Sequence, residues 1–485
     1  MKRHLLFGLI LLLSVKCARV DKSQDEEKPE QNVEIITIDT SIRTGQVSKN
    51  PAGVVSCWLL DSDIERPRKT SFTSAMKEMG VKYMRFPYGH LADNYLWDAD
   101  DDWGNTLTPK IATFSQAPAT WDWAVNQSSG EFIKDMDFDE YISICNNVEA
   151  EPMVVVNILS YKYNNGPTYE QLKETAVEWV RYANITKGYN VKRWALGNEV
   201  DHHSNLISQE EYKAVYTDFA TAMKKVDPDI WIGPGLLGNW HAAMLAHDPD
   251  NIDFICVHNY LYKYDWRNLG YEGWKNTSDI LVSNVETCQK AVNNSSIPNI
   301  EIHVTEMNSR PWKDNSDSDD LFRALAYGEM VLNACNFEDV RATYVWNTHG
   351  PWDGPEKNAS YNILDLDNNR EPRGDIIKII NENLLDYFVQ VPRVKGFIRT
   401  YACVDELNEH LNVFLINKND TAETVNIETS EFKLQSNYTI KTFSGKGPED
   451  KSPVCSEIAY NEINDEILKV ELAPLSLNVI YMKLK

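Results

Sequence analysis

The sequence predicts a (β/α)8 barrel with an additional antiparallel β-sandwich. Three observations carry that expectation. Between about residues 51 and 388, apolar strand-like runs alternate with amphipathic helical runs eight times. After about Asp386 the helices stop, and short strands follow one another across turn residues. Several of the barrel strands also end on polar or ionisable side chains rather than fading into loops. With 485 residues and a hydrophobic fraction of 42%, the chain can fill both cores.

The elements follow in order. Residues 33–50 alternate apolar and polar positions (Ile35, Ile36, Ile38, Ile42) and are expected to join the sandwich of 389–485. Barrel strand one is read at Val54–Leu60, and the helix Phe72–Met79 after it stops at Gly80. Strand two is Val81–Pro87. The long loop Tyr88–Lys134 carries Trp97, Trp103, Trp121 and Trp123 and is expected to face a substrate. Asp137–Glu140 has the pattern of a capping box, and its helix buries Phe138, Tyr141, Ile142, Cys145 and Val148. Strand three, Met153–Leu159, is apolar on both faces. Thr168–Gln171 and Ser208–Glu211 open the helices on either side of strand four, Val191–Val200. Strands five to eight are Ile230–Gly233, Ile252–Tyr260, Glu301–Asn308 and Val340–Asn347, with helices at Leu321–Asn333 and Ile376–Leu385. In the sandwich, His410–Asn417, Thr424–Glu428, Tyr438–Phe443 and Leu475–Leu484 read as strands.

Residues 1–17 read as an export signal. Lys2 and Arg3 precede the apolar run Leu5–Leu13, which is too short to span a bilayer and suits a signal core. Residues 18–32 form a charged tether without periodicity, expected to be disordered. Cys17 lies just after the apolar run, in a setting that resembles a bacterial lipoprotein signal with Cys17 as the lipid anchor. Lys16 departs from that pattern, which has a small residue there. The other reading is ordinary secretion with cleavage near Cys17. Both place the protein in the periplasm, on the cell surface or outside the cell. The remaining seven cysteines are scattered through apolar segments, so buried thiols are expected rather than a disulfide framework.

The net charge of −24 argues against nucleic acid and anionic membrane surfaces as partners. No Gly-rich phosphate or dinucleotide motif follows any strand, so no cofactor is expected. His202 and His203 lack a partner at metal-ligand spacing and read as loop residues. Asp365, Asp367 and Asn369 begin like a calcium loop, but Arg370 stands where that loop needs glycine, so they read as a turn. No metal is expected.

In a barrel of this kind, reacting side chains sit at the carboxyl ends of strands. That rule selects Arg85 (strand two), Asn157 (three), Glu199 (four), His258 and Tyr260 (six), Glu306 (seven) and Trp346 (eight). Two glutamates at two strand ends suit glycoside hydrolysis, in which one carboxyl protonates the leaving oxygen and the other attacks the anomeric carbon. Each residue also has a structural reading: a helix cap for either glutamate, an ion pair for Arg85, packing for Asn157, His258, Tyr260 and Trp346. The coincidence of so many strand ends favours one site. The 14 tryptophans suit stacking against sugar rings, although most tryptophans fill cores.

Gly197-Asn198-Glu199 after strand four and Thr305-Glu306 after strand seven resemble the signature of the clan A glycoside hydrolases. The resemblance runs from about residue 33 to 485 and includes Ala473-Pro474-Leu475-Ser476 near the end. Arg85-Phe86-Pro87-Tyr88-Gly89 is similar to the Arg-Phe/Trp-Pro-Gly-Gly turn of family 51 α-L-arabinofuranosidases, with Tyr88 replacing the first glycine. Families 39 and 79 and the agarases share this skeleton. The resemblance implies a retaining hydrolase of plant or algal polysaccharide or its oligosaccharides. Glu199 would be the acid/base and Glu306 the nucleophile, held ionised by Arg85 and Tyr260. Asn198 would bond the sugar 2-hydroxyl, Trp346 would floor the cleavage subsite, and His258 would orient a carboxylate or a hydroxyl. An arabinofuranosidase-like activity comes first. An endo-acting hydrolase of agarase or glucuronidase type and a non-catalytic carbohydrate-binding barrel are the alternatives.

Overall fold

The computed structural model describes residues 34–97, 110–111, 121–126, 131–164, 166–261, 266–278, 281–309, 319–359, 361–430, 434–460 and 467–484. The expected signal and tether, with Cys17, and Trp103 of the long loop lie outside these residues.

Eight parallel strands form one sheet. In chain order they are Ala52–Val55, Tyr83–Phe86, Glu151–Val156, Arg193–Leu196, Trp231–Pro234, Phe254–Tyr260, Glu301–Asn308 and Val340–Val345. Their order in the sheet is five, four, three, two, one, eight, seven, six. The two ends meet: Asp253 N–H donates to Ile232 O (2.9 Å), and Ile232 N–H donates to Asp253 Oδ2 (2.8 Å). Gly233 permits this approach, because a Cβ there would lie 2.6 Å from the Phe254 ring. The sheet is thus a barrel, and strands one, two and four are buried throughout, as parallel strands between an inner core and outer helices must be.

Cap chemistry starts the helices where the sequence places them. Asp137 accepts from Glu140 N–H, Thr168 and Gln171 form a reciprocal capping box, and Ser208 accepts from Glu211 N–H. Glu140 departs from the box pattern. Its carboxylate turns away from Asp137 to accept from Ser62 Oγ and from the Asp63 and Ile64 N–H groups, tying down the loop after strand one. Strand one also ends earlier than expected. Leu60 and Asp61 N–H both return to Cys57 O, and the Asp61 carboxylate accepts from Cys57 N–H (2.6 Å), so the chain turns at Cys57 instead of extending to Leu60. Helices His241–His247, Trp266–Lys275 and Ser283–Asn293 were not expected. The first and last have Trp240 and Val282 at their N-caps without side-chain capping bonds, and Gly270 interrupts the middle one, so the usual start signals are missing.

The second sheet has ten strands. Strand Glu34–Gln46 lies inside it, antiparallel to Tyr387–Gln390 and parallel to Glu423–Thr429. That parallel pairing departs from a purely antiparallel sandwich. Ile440 from one side of this sheet and Leu468, Val470 and Leu472 from its other end share one core with Ile36, Ile38, Val413 and Leu415, so the sheet wraps around a single apolar filling. Strands Tyr387–Gln390, Ile398–Val404, Val454–Tyr460 and Leu468–Leu472 extend the set read from sequence. Among the described residues all seven cysteines are free thiols; six are buried and Cys455 is exposed.

The two sheets meet through a buried charge cluster. Glu329, on helix Leu321–Cys335, accepts from Arg399 Nε (3.1 Å), Lys418 Nζ (3.2 Å) and Trp274 Nε1 (2.7 Å). All four residues are buried. Removing one carboxylate would leave two buried cations without an anion, which typically costs about 3–5 kcal/mol. Glu329→Ala is therefore expected to lose about that much unfolding free energy in urea titration, while Glu382→Ala, on the exposed side of the same junction, stays within about 0.5 kcal/mol of the parent.

Candidate active site

At the end of strand four, Gly197 adopts φ 81°. A Cβ on it would overlap Val200, so glycine is required twice over. Glu199 follows in the left-handed region (φ 46°, ψ 40°), a conformation that is uncommon for glutamate and turns its side chain back over the barrel mouth. The turn is held from outside the strand. Val200 N–H donates to Gly235 O (3.1 Å), and buried Asp201 accepts from the N–H groups of Leu237 (2.7 Å), Gly238 (2.9 Å) and Asn239 (2.7 Å).

Glu306 is aimed differently. Strand seven pairs with strand six as Val304 with Val257 and then Glu306 with His258, so Thr305 is an extra residue. This bulge brings Glu306 level with His258 and turns it toward the centre of the mouth.

The side chains then meet. Glu306 Oε1 accepts from Arg85 Nη1 (2.8 Å), and Oε2 accepts from Tyr260 Oη (2.7 Å). Arg85 Nη2 donates to Asn198 Oδ1 (2.6 Å). His258 Nδ1 lies 2.7 Å from Glu199 Oε1 and 3.5 Å from Glu306 Oε2. Oxygen atoms of the two glutamates and a nitrogen of His258 all lie within 4.8 Å of one another.

The two carboxyls have unlike surroundings. Glu306 faces a guanidinium and a phenol. Glu199 is pushed above the ordinary carboxyl range by burial, which outweighs the pull of His202, His90 and Arg85. Burial also pushes His258 down to about 4, so its imidazole is neutral near pH 7. A neutral Nδ1 serves either state of Glu199, donating to the carboxylate or accepting from the acid.

Asn198 Nδ2 is buried with no partner among the described residues, a donor left for a ligand. Trp346, 7% exposed, packs against Tyr88 with centroids 4.3 Å apart. Asn157 stands apart from this group. Its Nδ2 donates to Tyr95 O (3.1 Å), and its Oδ1 accepts from Leu159 (3.2 Å) and Ser160 (3.1 Å) N–H, so it shapes the loop after strand three. Seven of the eight residues expected at the site therefore converge, and Asn157 lies behind them.

The sequence reading did not assign roles to Asp201 and Gly89. Asp201 follows the Gly-Asn-Glu motif by two residues, and that adjacency was its only signal. Gly89 lies against Glu306 Oε1 and the Trp346 ring, and any Cβ would overlap both.

Comparison with known proteins bears on this geometry. Residues 75–263 match the family model described as the alpha-L-arabinofuranosidase 1 domain. That segment carries Arg85, Asn198, Glu199, His258 and Tyr260. An intracellular exo-alpha-(1->5)-L-arabinofuranosidase of Acetivibrio thermocellus is 24% identical over 204 residues, 38% of this chain and 37% of that protein. A protein of the same name from Streptomyces lividans is 25% identical over 211 residues, 39% of this chain and 29% of that protein. The matches thus span less than half the length of these relatives. The solved structure of alpha-L-arabinofuranosidase from Thermotoga maritima, in its arabinose complex, superposes with a TM-score of 0.69 at 17% identity, covering 92% of this chain and 99% of that one. The barrel is similar in fold to that of this solved structure. Its sandwich is shared over the same 92% of the chain.

The same comparison corrects the expected location. The relatives from Acetivibrio thermocellus, Streptomyces lividans, Halalkalibacterium halodurans and Bacillus subtilis are all named as intracellular enzymes, which points away from export. The export expectation rested on Lys2 and Arg3, the apolar run Leu5–Leu13 and the position of Cys17, a pattern short enough to arise without export.

Gly89→Ala is expected to force Glu306 or Trp346 aside. Overpacking of this kind costs about 1–3 kcal/mol, read as a lower midpoint in thermal or urea unfolding. A variant that unfolds with the parent would show that the Gly89 turn can yield.

Proposed function

We propose that the protein is a retaining glycoside hydrolase of the α-L-arabinofuranosidase type, with the catalytic barrel at residues 51–388 and the sandwich at 33–50 and 389–485. One observation carries the reading: Glu199 and Glu306 oxygens lie within 4.8 Å. Retaining enzymes hold their carboxyls about 5–5.5 Å apart, whereas inverting enzymes leave about 6.5–9.5 Å for a water between them.

In this mechanism Glu306, ionised beside Arg85 and Tyr260, attacks the anomeric carbon as Glu199 gives its proton to the departing oxygen. The sugar is then bound to Glu306 as an ester. Glu199, now a carboxylate, takes a proton from water, and the water oxygen displaces Glu306 with net retention. Asn198 Nδ2 donates to the 2-hydroxyl, Trp346 forms the floor of the subsite, and His258 follows the proton state of Glu199 through Nδ1. Both steps use side chains alone. The names of the relatives support a terminal arabinofuranosyl unit as the substrate and exo action as the mode.

The test is hydrolysis of 4-nitrophenyl α-L-arabinofuranoside and of arabino-oligosaccharides, with the product anomer followed by NMR. The parent is expected to release the α-anomer first. Glu306→Gln should lose turnover altogether. Glu199→Gln should lose about 10²–10⁴-fold in kcat/KM on oligosaccharides, the usual contribution of a general acid, and much less on the nitrophenyl substrate, whose leaving group needs no proton. Because the acid form of Glu199 is required, kcat/KM should fall as pH rises through its elevated pKa, and this alkaline limb should vanish in Glu199→Gln. A β-anomer as first product would overturn the retaining assignment. Sugar binding without turnover in the parent would leave a carbohydrate-binding barrel, and internal chain cleavage without monosaccharide would point to the endo-acting alternative.

A further inference from the structure

Beside the two carboxyls stand three side chains that the mechanism above does not use: His90, Asp93 and His203. We infer that they form a binding site for a divalent transition-metal cation of the zinc class. His90 and Asp93 lie on the 3₁₀ helix His90–Asn94. With three residues per turn, positions i and i+3 fall on one face of such a helix. His203 ends the short turn Val200–His202 that follows Glu199. One donor atom from each residue lies within 4.8 Å of the others. His203 Nε2 stands 3.9 Å from Asp93 Oδ2, and the imidazole centroids of His90 and His203 are 5.4 Å apart. Two imidazole nitrogens and one carboxylate oxygen make a donor set that zinc takes at about 2.0–2.2 Å per ligand. At that radius tetrahedral ligands stand about 3.4 Å apart, so a small inward rotation of exposed His90 completes the site.

A second observation points to a ligand. Asp93 is 1% exposed, and neither of its carboxylate oxygens has a hydrogen-bond partner among the described residues. The Asn198 backbone N–H faces it without closing a bond of normal geometry. His203 Nε2 is also buried and unpartnered. A carboxylate buried without donors is unfavourable and is resolved by a proton or by a cation. A proton on Asp93 would not reach His203 Nε2 across 3.9 Å. A cation between them engages Asp93, His203 and His90 together, and the open side of His90 leaves positions for water. The cluster Asp405, Glu409 and His410 offers no such vacancy in bonding. Asp405 already accepts from His410 Nδ1 and from the N–H groups of Glu409 and His410.

The sequence could not show this site, because His203 has no ligand-spaced neighbour and its partners arrive from the loop after strand two. The full-length protein, stripped with EDTA and dialysed, can be titrated with ZnCl2 by calorimetry and with CoCl2 by visible absorption. One equivalent of zinc is expected, with the d–d bands of low-coordinate cobalt. His90→Gln and His203→Gln should each weaken zinc at least about tenfold, and Glu199→Gln should bind as the parent does. Because His90 is exposed, His90→Gln keeps the fold and decides the matter even if His203→Gln unfolds. Three results would overturn the inference: no saturable zinc binding by the parent, zinc affinity unchanged in His90→Gln, or loss of binding in Glu199→Gln alone.

Discussion

The contact of Arg85 with Glu306 and Asn198 is the constraint on which the site depends. Its guanidinium is 1% exposed, and a cation so deeply buried is tolerated only with well-placed acceptors. It has two. Nη1 meets Glu306 and Nη2 meets Asn198, so one rigid, planar group ties the ends of strands two, four and seven together. Lysine would offer a single point charge and could not fix both angles. The tie also makes the two carboxyls unequal, because the cation and the Tyr260 phenol sit on Glu306. Glu199 is left with a neutral imidazole and with burial. Of the two acids, the desolvated Glu199 is the one whose protonated form burial favours.

That arrangement rests on two departures from regular backbone. The bulge at Thr305 shifts strand seven by one residue, and the left-handed Glu199 ends strand four abruptly. Conformations of this kind cost about 1–3 kcal/mol each and persist only where the surroundings over-determine them. Around Glu199 they do. Asp201 collects three N–H groups from the loop after strand five, and Val200 N–H reaches Gly235 O in that same loop. A buried carboxylate thus acts as the anchor for a neighbouring residue's strain. The strained glutamate and the anchoring aspartate lie two positions apart, so one short motif contains both.

Legibility in the sequence follows from how local each cause is. The eight strand–helix units could be read because apolar period and cap residues are local signals. Strand-end polarity then led to Arg85, Glu199, His258, Tyr260, Glu306 and Trp346, and the resemblance of Gly197-Asn198-Glu199 added Asn198. Asn157 satisfied the same rule, yet its amide bonds to the backbone of Tyr95, Leu159 and Ser160. Nothing in its strand distinguishes an amide pointing into the mouth from one bonding the loop beside it. The uncapped helices at His241 and Ser283 and the exposed edge strand Val454–Tyr460 were illegible for the opposite reason, since they lack the signals altogether. Glu140 carried the right signal at the right spacing, but the loop Ser62–Ile64 offered it more donors than Asp137 did.

The loop after strand two shows how a departure from a family motif can be absorbed. Tyr88 stands where the resembling turn has glycine, and substitution at a mouth residue would ordinarily alter the subsite. Here Tyr88 is fully buried, its ring lies against Trp346, and its hydroxyl accepts from Asn347. It has become part of the packing that supports Trp346. Gly89, one residue on, has no such freedom, because its missing side chain is the space that Glu306 and Trp346 occupy. His90 and Asp93 follow on the same loop and lie close to His203. Within this one loop, a bulky residue is accommodated at Tyr88 and excluded at Gly89. Charge on the rim at His90 and Asp93 is felt by the acids at the centre, since His90 already pulls the Glu199 carboxyl down against its burial.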